Sequence, residues 1–225
     1  MSQPAPRRPA GALPIEPLWL EWLALGGLLA FAFWLLGVRG VWALLLHADP
    51  TGLTAVIVLV FACSTLWCGS RARTLERQRQ ALEASLRPGA AGQGWAHEFW
   101  QHSSGPAADP ASALDLLLEA CHGPHGTAWW VNGLQLKLGL LGKVIGFCML
   151  ALNIGQLQNL DASQSSELLK SLTTGLGVAL LTTMVGLVAN ILLGLQLTRL
   201  DRYADRLVAD CQRHALQRRQ TAPAP

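Results

Sequence analysis

LQLKLGLLGKVIGFCMLALNIG, residues 134–155, and SLTTGLGVALLTTMVGLVANILLGLQLT, residues 171–198, are the two apolar segments whose reading decides the fold. The second carries no acidic or basic side chain along its whole length. As a helix rising about 1.5 Å per residue it reaches roughly 42 Å, more than the ~30 Å of hydrocarbon in a bilayer. Both segments are too rich in glycine, threonine and amide side chains to be plain lipid anchors. In a bilayer such residues belong where a helix meets other helices or water.

Upstream, residues 22–38 form an uncharged run that is interrupted by Arg39-Gly40 and resumes as VWALLL to Leu46. One membrane helix over about 19–46 is expected, with Arg39 snorkelling at the far interface. HADPTG (47–52) is a turn, and 51–70 is again uncharged and forms a second span. RARTLERQRQALEASL (71–86) then continues that helix out of the membrane, carrying Arg71, Arg73, Arg77 and Arg79. Residues 87–110 read as a Gly/Pro/His-rich linker, and 111–121 as a short amphipathic helix ended by HGPHG. Residues 156–167 read as a polar loop with two acids and no base. Beyond the last span, Leu200, Tyr203, Leu207, Cys211 and Ala215 recur at helical spacing.

These readings give an all-α membrane protein of four transmembrane helices with long cytoplasmic helix extensions. The expected division is a disordered tail (1–18), a transmembrane hairpin (19–70), a cytoplasmic region (71–128), a second transmembrane pair (129–200) and a cytoplasmic helix with its tail (201–225). Topology follows from the basic residues. Arg7 and Arg8, the arginines of 71–79 and six more in 199–219 fall on one side, and the 47–52 and 156–167 loops carry no Lys or Arg. The positive-inside rule puts that side, with both termini, in the cytoplasm. Trp19, Trp22, Trp67, Trp129 and Trp130 then all sit at the inner interface, an independent agreement.

Composition excludes several other classes. At 51% hydrophobic and 14% charged, the chain belongs with membrane proteins. A net charge of +3 is too small to argue for a nucleic-acid partner. The five cysteines form no CxxC pair and read as small apolar residues. Cys121-His122 with His125 is half a metal site at most, so no metal or other cofactor is expected. GLLGKVIG (139–146) has the outline of a phosphate loop, but it lies in an apolar span and lacks the hydroxyl residue after lysine. No constellation supports an enzyme.

On the last span Gly175, Ala179, Thr183, Gly186 and Asn190 share a face, bordered by Thr182. Such a face either lets helix backbones approach closely or lines a narrow wet path. On the third span Gly139, Lys143, Gly146, Leu150 and Asn153 share a face in the same way. Lys143 lies about 16 Å of helix rise from Ile154, near mid-membrane. A lysine there costs on the order of 2.5–3.5 kcal/mol and is a functional-site candidate by default. It is tolerable as a neutral amine, as an ammonium paired with an acid of another chain, or by snorkelling to the inner interface. No acid of this chain lies inside the four apolar runs, so a carboxylate meeting that face belongs to a partner protein.

Gly139-Leu-Leu-Gly-Lys-Val-Ile-Gly146, followed by Gly177-Val-Ala-Leu-Leu-Thr-Thr-Met-Val-Gly-Leu-Val-Ala189, resembles the MotA/TolQ/ExbB proton-channel family. The resemblance covers about residues 130–211. It implies a homo-oligomer, a pentamer, in the bacterial inner membrane, whose third and fourth helices ring a central pore. The pore holds the single transmembrane helices of an ExbD-, TolR- or MotB-like partner bearing an aspartate that takes and releases protons. Thr183 matches the family's pore threonine, with Thr182 beside it. The family's GLLGT places a second threonine where this chain has Lys143, and five ammonium groups around one pore would raise the barrier to a cation. The transported ion is H⁺ in this reading, with Na⁺ as the alternative. Thr183, Thr182, Lys143 and Asn190 are the candidate ion pathway, and Gly139, Gly146, Gly175, Ala179 and Gly186 the pore-facing packing. The rival reading is a non-conducting oligomeric scaffold in the bilayer, its small-residue faces serving assembly alone.

Overall fold

The computed structural model describes residues 18–49, 51–86, 92–103, 109–155 and 162–221. Within them the chain forms six helices and no strand: α1 (Leu18–Val38), α2 (Val41–Ala48), α3 (Leu53–Ser85), α4 (Trp95–Ser103), α5 (Pro110–Gly155) and α6 (Ala162–Thr221). Four of them, α1, α3, α5 and α6, are long and apolar enough to cross a membrane. The last three far exceed that requirement. At about 1.5 Å per residue α3 reaches roughly 50 Å, α5 roughly 69 Å and α6 roughly 90 Å. Each therefore runs well past one face of a bilayer, and the arginines after Ser70 and Thr198 mark that face.

The first span is not one helix to Leu46. It breaks at Gly40, whose φ of +71° is left-handed and open to glycine at little cost. The Trp42 indole then donates to the Phe33 carbonyl at 3.0 Å, folding α2 back on α1. At the next turn Asp49 starts α3 by accepting from the Thr54 amide (2.7 Å), the Thr51 amide (3.0 Å) and the Thr51 hydroxyl.

The stretch read as a linker contains α4. Phe99 and Trp100 of α4 are buried, and the Trp100 indole donates to the Cys211 carbonyl of α6 at 3.1 Å. The polar loop is shorter than expected, because 162–167 belong to α6; residues 156–161 and the tail 1–17 lie outside the described residues.

A second difference concerns HGPHG, which does not end a helix. α5 runs unbroken through Pro124 from Pro110 to Gly155. A proline there removes the hydrogen bond to the carbonyl four residues earlier, that of Ala120. Arg71 of α3 supplies the missing donor: its Nη2 lies 2.6 Å from the Ala120 carbonyl and 3.0 Å from that of Cys121.

The buried core concentrates at the arginine-bearing end. Leu75 and Leu82 of α3, Leu117 and Cys121 of α5, and Leu200, Tyr203, Leu207 and Cys211 of α6 close on one another and on α4. The stripe read along 200–215 is thus the buried seam of α6, with Ala215 packed against its end. Toward the apolar end the outward residues of α5 and α6, such as Leu140, Val144, Met184 and Ile191, are exposed. Large exposed apolar side chains on membrane-length helices are surfaces for lipid or for neighbouring subunits.

Candidate functional site

The site is built where α5 crosses α6 at mid-span. Gly139, Gly142 and Gly146 line one side of α5, and Gly175, Ala179, Thr182 and Gly186 oppose them from α6. The approach is backbone on backbone. A Cβ on Gly186 would stand 2.9 Å from the Gly139 Cα, and one on Gly146 would stand 2.8 Å from the Ala179 amide nitrogen and the Gly175 carbonyl. At Gly175 it would meet the Gly146 carbonyl at 3.1 Å. Small-residue crossings of this kind replace the hydrophobic drive that helices lack in lipid.

The two threonines take different places on this crossing. Thr182 is fully buried against Gly142, and its hydroxyl donates to the Val178 carbonyl at 2.8 Å. Thr183 is half-buried at the rim. Its hydroxyl lies 2.8 Å from the Ala179 carbonyl on its own helix and 3.2 Å from the Gly139 carbonyl across the gap. One hydroxyl proton thus has two acceptors on two helices, and its lone pairs stay open to an incoming donor.

Gly139, Gly146, Gly175, Ala179 and Gly186 are therefore buried between two helices of the same chain. Lys143 does not share their buried side. It is exposed beside the crossing, one residue beyond Gly142 and so level with Thr182, its Nζ 6.0 Å from the Phe147 ring centre. Asn190 lies two turns below Thr183 and donates to the Asn132 carbonyl of α5 at 2.8 Å. The Asn153 side chain lies outside what the structure describes.

Three buried amides were not singled out in the sequence. Gln135 is 0% exposed with neither amide atom hydrogen-bonded, while the Asn132 and Gln196 oxygens are likewise buried and unpaired. Gln196 donates from its nitrogen to Thr65 of α3 at 3.3 Å. The signal was present: Gln135 and Asn132 precede Gly139 by four and seven residues, so they extend its face. Bare amides at this depth mark the crossing as polar within an apolar span.

At the arginine-bearing end, below Trp129, the structure gathers a second polar group. His125 Nδ1 lies 2.6 Å from Asp201 of α6, whose other oxygen accepts from the Trp129 indole at 2.8 Å. Arg71 Nε lies 3.4 Å from His125 Nε2. His122 pairs with Asp205 at 3.0 Å. Burial pushes the His125 imidazole below its ordinary value; Asp201 works against that shift, while Arg71 and His122 add to it. Burial likewise pushes the Cys121 thiol up to about 11, which makes it an inert neighbour. Both histidines are taken up by carboxylates, and among the described residues no three metal-binding side chains come together.

Residues 133–213 match the MotA/TolQ/ExbB proton channel family. The match covers 81 of the 225 residues, and over that stretch the chain is similar to a MotA/TolQ/ExbB domain. No curated protein and no solved structure matches the chain. The matched stretch begins just before Gln135 and ends within the buried seam of α6, so it contains the whole glycine crossing, both threonines and Lys143. Taken with four membrane-length helices, it makes the chain a multi-pass membrane protein with a stretch similar to the proton-channel family.

Proposed function

We propose that this chain is the channel subunit of a bacterial inner-membrane complex that couples the proton motive force to motion of a single-span partner. In this reading five copies surround a central cavity, and both termini, with the arginine-bearing helix ends, lie in the cytoplasm. The partner is an ExbD-, TolR- or MotB-like helix with a mid-membrane aspartate. The observation that carries the proposal is the placement of Thr183 and Lys143. They stand at one level of the stretch similar to a MotA/TolQ/ExbB domain, Thr183 at the rim of the crossing and Lys143 exposed beside it.

The mechanism follows from what each group can do. The Thr183 hydroxyl donates inward, so it can accept a proton-bearing donor from the cavity and pass a hydrogen bond on. Lys143 offers its ammonium to the partner's carboxylate, holding that acid ionised until a proton arrives to displace the pairing. The glycine face sets how closely α5 and α6 approach and so fixes where the two functional side chains emerge. Asn190, half-buried two turns below Thr183, extends the polar lining. The ion in this reading is H⁺.

The scaffold reading draws less support. Its premise is that small-residue faces drive assembly, yet Gly139, Gly146, Gly175, Ala179 and Gly186 are already used up inside one chain. A flux measurement tests the proposal. The chain and the single-span protein that purifies with it are reconstituted in vesicles, and proton entry is followed under an imposed potential. Thr183→Val, which keeps the shape and removes the hydroxyl, lowers flux at least about tenfold, the loss typical of one catalytic hydrogen-bonding group. Flux equal to that of the native complex would contradict the assignment.

A further inference from the structure

Arg71, His125 and Asp201 form a set whose hydrogen bonds assign every proton. Asp201 can only accept, so the His125 nitrogen 2.6 Å away, Nδ1, carries the hydrogen. Arg71 can only donate, so the His125 nitrogen 3.4 Å from its Nε, Nε2, carries the lone pair. Neutral His125 satisfies both neighbours. A proton added at Nε2 would point one N–H at another and set an imidazolium against a guanidinium.

Arg71 has a second task that depends on the first. Its Nη2 holds the Ala120 and Cys121 carbonyls, one of which Pro124 leaves without its helical partner. The same guanidinium thus reads the state of His125 and closes the gap that proline opens in α5. The surroundings complete the site. From α3, Trp67 meets the His125 ring edge-on, with centres 6.4 Å apart. From α5, the His122 ring centre is 5.8 Å away, and Cys121 and Trp129 flank it. From α6, Asp201 binds His125 and Asp205 binds His122. From α4, Trp95 stacks under Arg71 at 5.4 Å. His125 itself is 2% exposed.

We propose that His125 is a proton-binding site at the arginine-bearing end of the protein, and that its protonation releases Arg71 from the Pro124 break and loosens α5 between its outer and membrane-crossing halves. Acidification on that side, the cytoplasm in the topology above, would thus soften the link between the helical extension and the channel domain. The inference does not rest on proton conduction, because the set would act in a protein that conducts nothing. The depressed affinity of His125 for protons agrees with it: the neutral form is the one this packing favours.

The test is amide hydrogen exchange of the full chain in lipid nanodiscs at pH 7.5 and 5.5, expressed as protection factors so that the intrinsic pH effect cancels. In the native protein, protection over 121–128 falls several-fold at the lower pH, up to the roughly tenfold ceiling that one imidazole with an ordinary value near 6.5 in the open form allows between pH 7.5 and 5.5. Protection over 200–208 stays within about twofold, since opening is local. His125→Gln presents an acceptor to Arg71 and a donor to Asp201 without titrating, and it abolishes the drop. His122→Gln, at the more exposed neighbour, retains the drop. The proposal is overturned if the native protein shows no drop, if His125→Gln keeps it, or if His122→Gln alone removes it.

Discussion

Lys143 carries more of the functional argument than any other single residue, because a lysine near the middle of a membrane-length helix must be paired, neutral or drawn to water. The structure leaves it exposed on the outside of its own protomer, beside the glycine crossing and not in it. If that position faces a partner carboxylate, replacing the amine removes a charge pair in a low-dielectric site, where coupling energies exceed 1.4 kcal/mol. Lys143→Thr therefore weakens association with the single-span partner at least about tenfold. A binding titration in nanodiscs measures this, and unchanged affinity together with unchanged flux would remove Lys143 from the mechanism. The mid-membrane depth expected of Lys143 comes from its apolar flanks in the sequence. Its separation from Gly139 and Gly146 was not legible there. Spacings of four and three place all three on one broad face, and only the crossing of α6 divides that face into a buried side and an open one.

At the scale of the helix, two contacts decide the fold of the channel domain and its connection to the extension. The α5–α6 crossing has no room for a side chain at Gly186, because any Cβ there collides with the backbone of Gly139. Gly186→Val must push the helices apart, at a cost of about 1–3 kcal/mol. Thermal unfolding in detergent would show this as a lower midpoint, and a midpoint equal to the native one would mean the crossing is looser than described. The second contact is pH-sensitive, with a definite sign. His125 binds a proton less readily folded than unfolded, so between its depressed folded value and the ordinary ~6.5 the unfolded chain holds more protons. The His125 contribution to stability is therefore level above about pH 6.5 and declines as pH falls below it. Chemical denaturation from pH 8 to 5 measures the decline, and His125→Gln flattens it. Neither α4 nor the continuity of α5 was legible. Gly, Pro and His around Pro124 are local stop signals, but the guanidinium that overrides them lies 49 residues before the Ala120 carbonyl it holds. Local propensity cannot see a donor that distant. The Trp95, Phe99 and Trp100 spacing of α4 did carry a helical signal, hidden by the glycines and prolines on either side.

At the scale of the whole molecule, the division of labour follows from where burial lies. The arginine-bearing half has a closed core of α3, α4, α5 and α6, whereas the membrane-length half presents apolar side chains outward with one polar seam. The four membrane-length helices were plain in the sequence because the bilayer imposes length and composition on any helix that crosses it. What the chain does with its outward faces is set by copies and partners, which one sequence does not contain. In the proposed function the Lys143 side of the crossing faces a water-filled cavity that a guest helix enters. Lys143→Cys tests it most directly, in a chain whose exposed Cys63 and Cys148 are replaced by serine. The complex in membranes is treated with a charged, water-soluble thiosulfonate, with and without the single-span partner. Rapid modification of the partner-free assembly and strong protection by the partner are expected. Modification by a lipid-soluble maleimide alone, with the partner making no difference, would place Lys143 against lipid and contradict the proposed function.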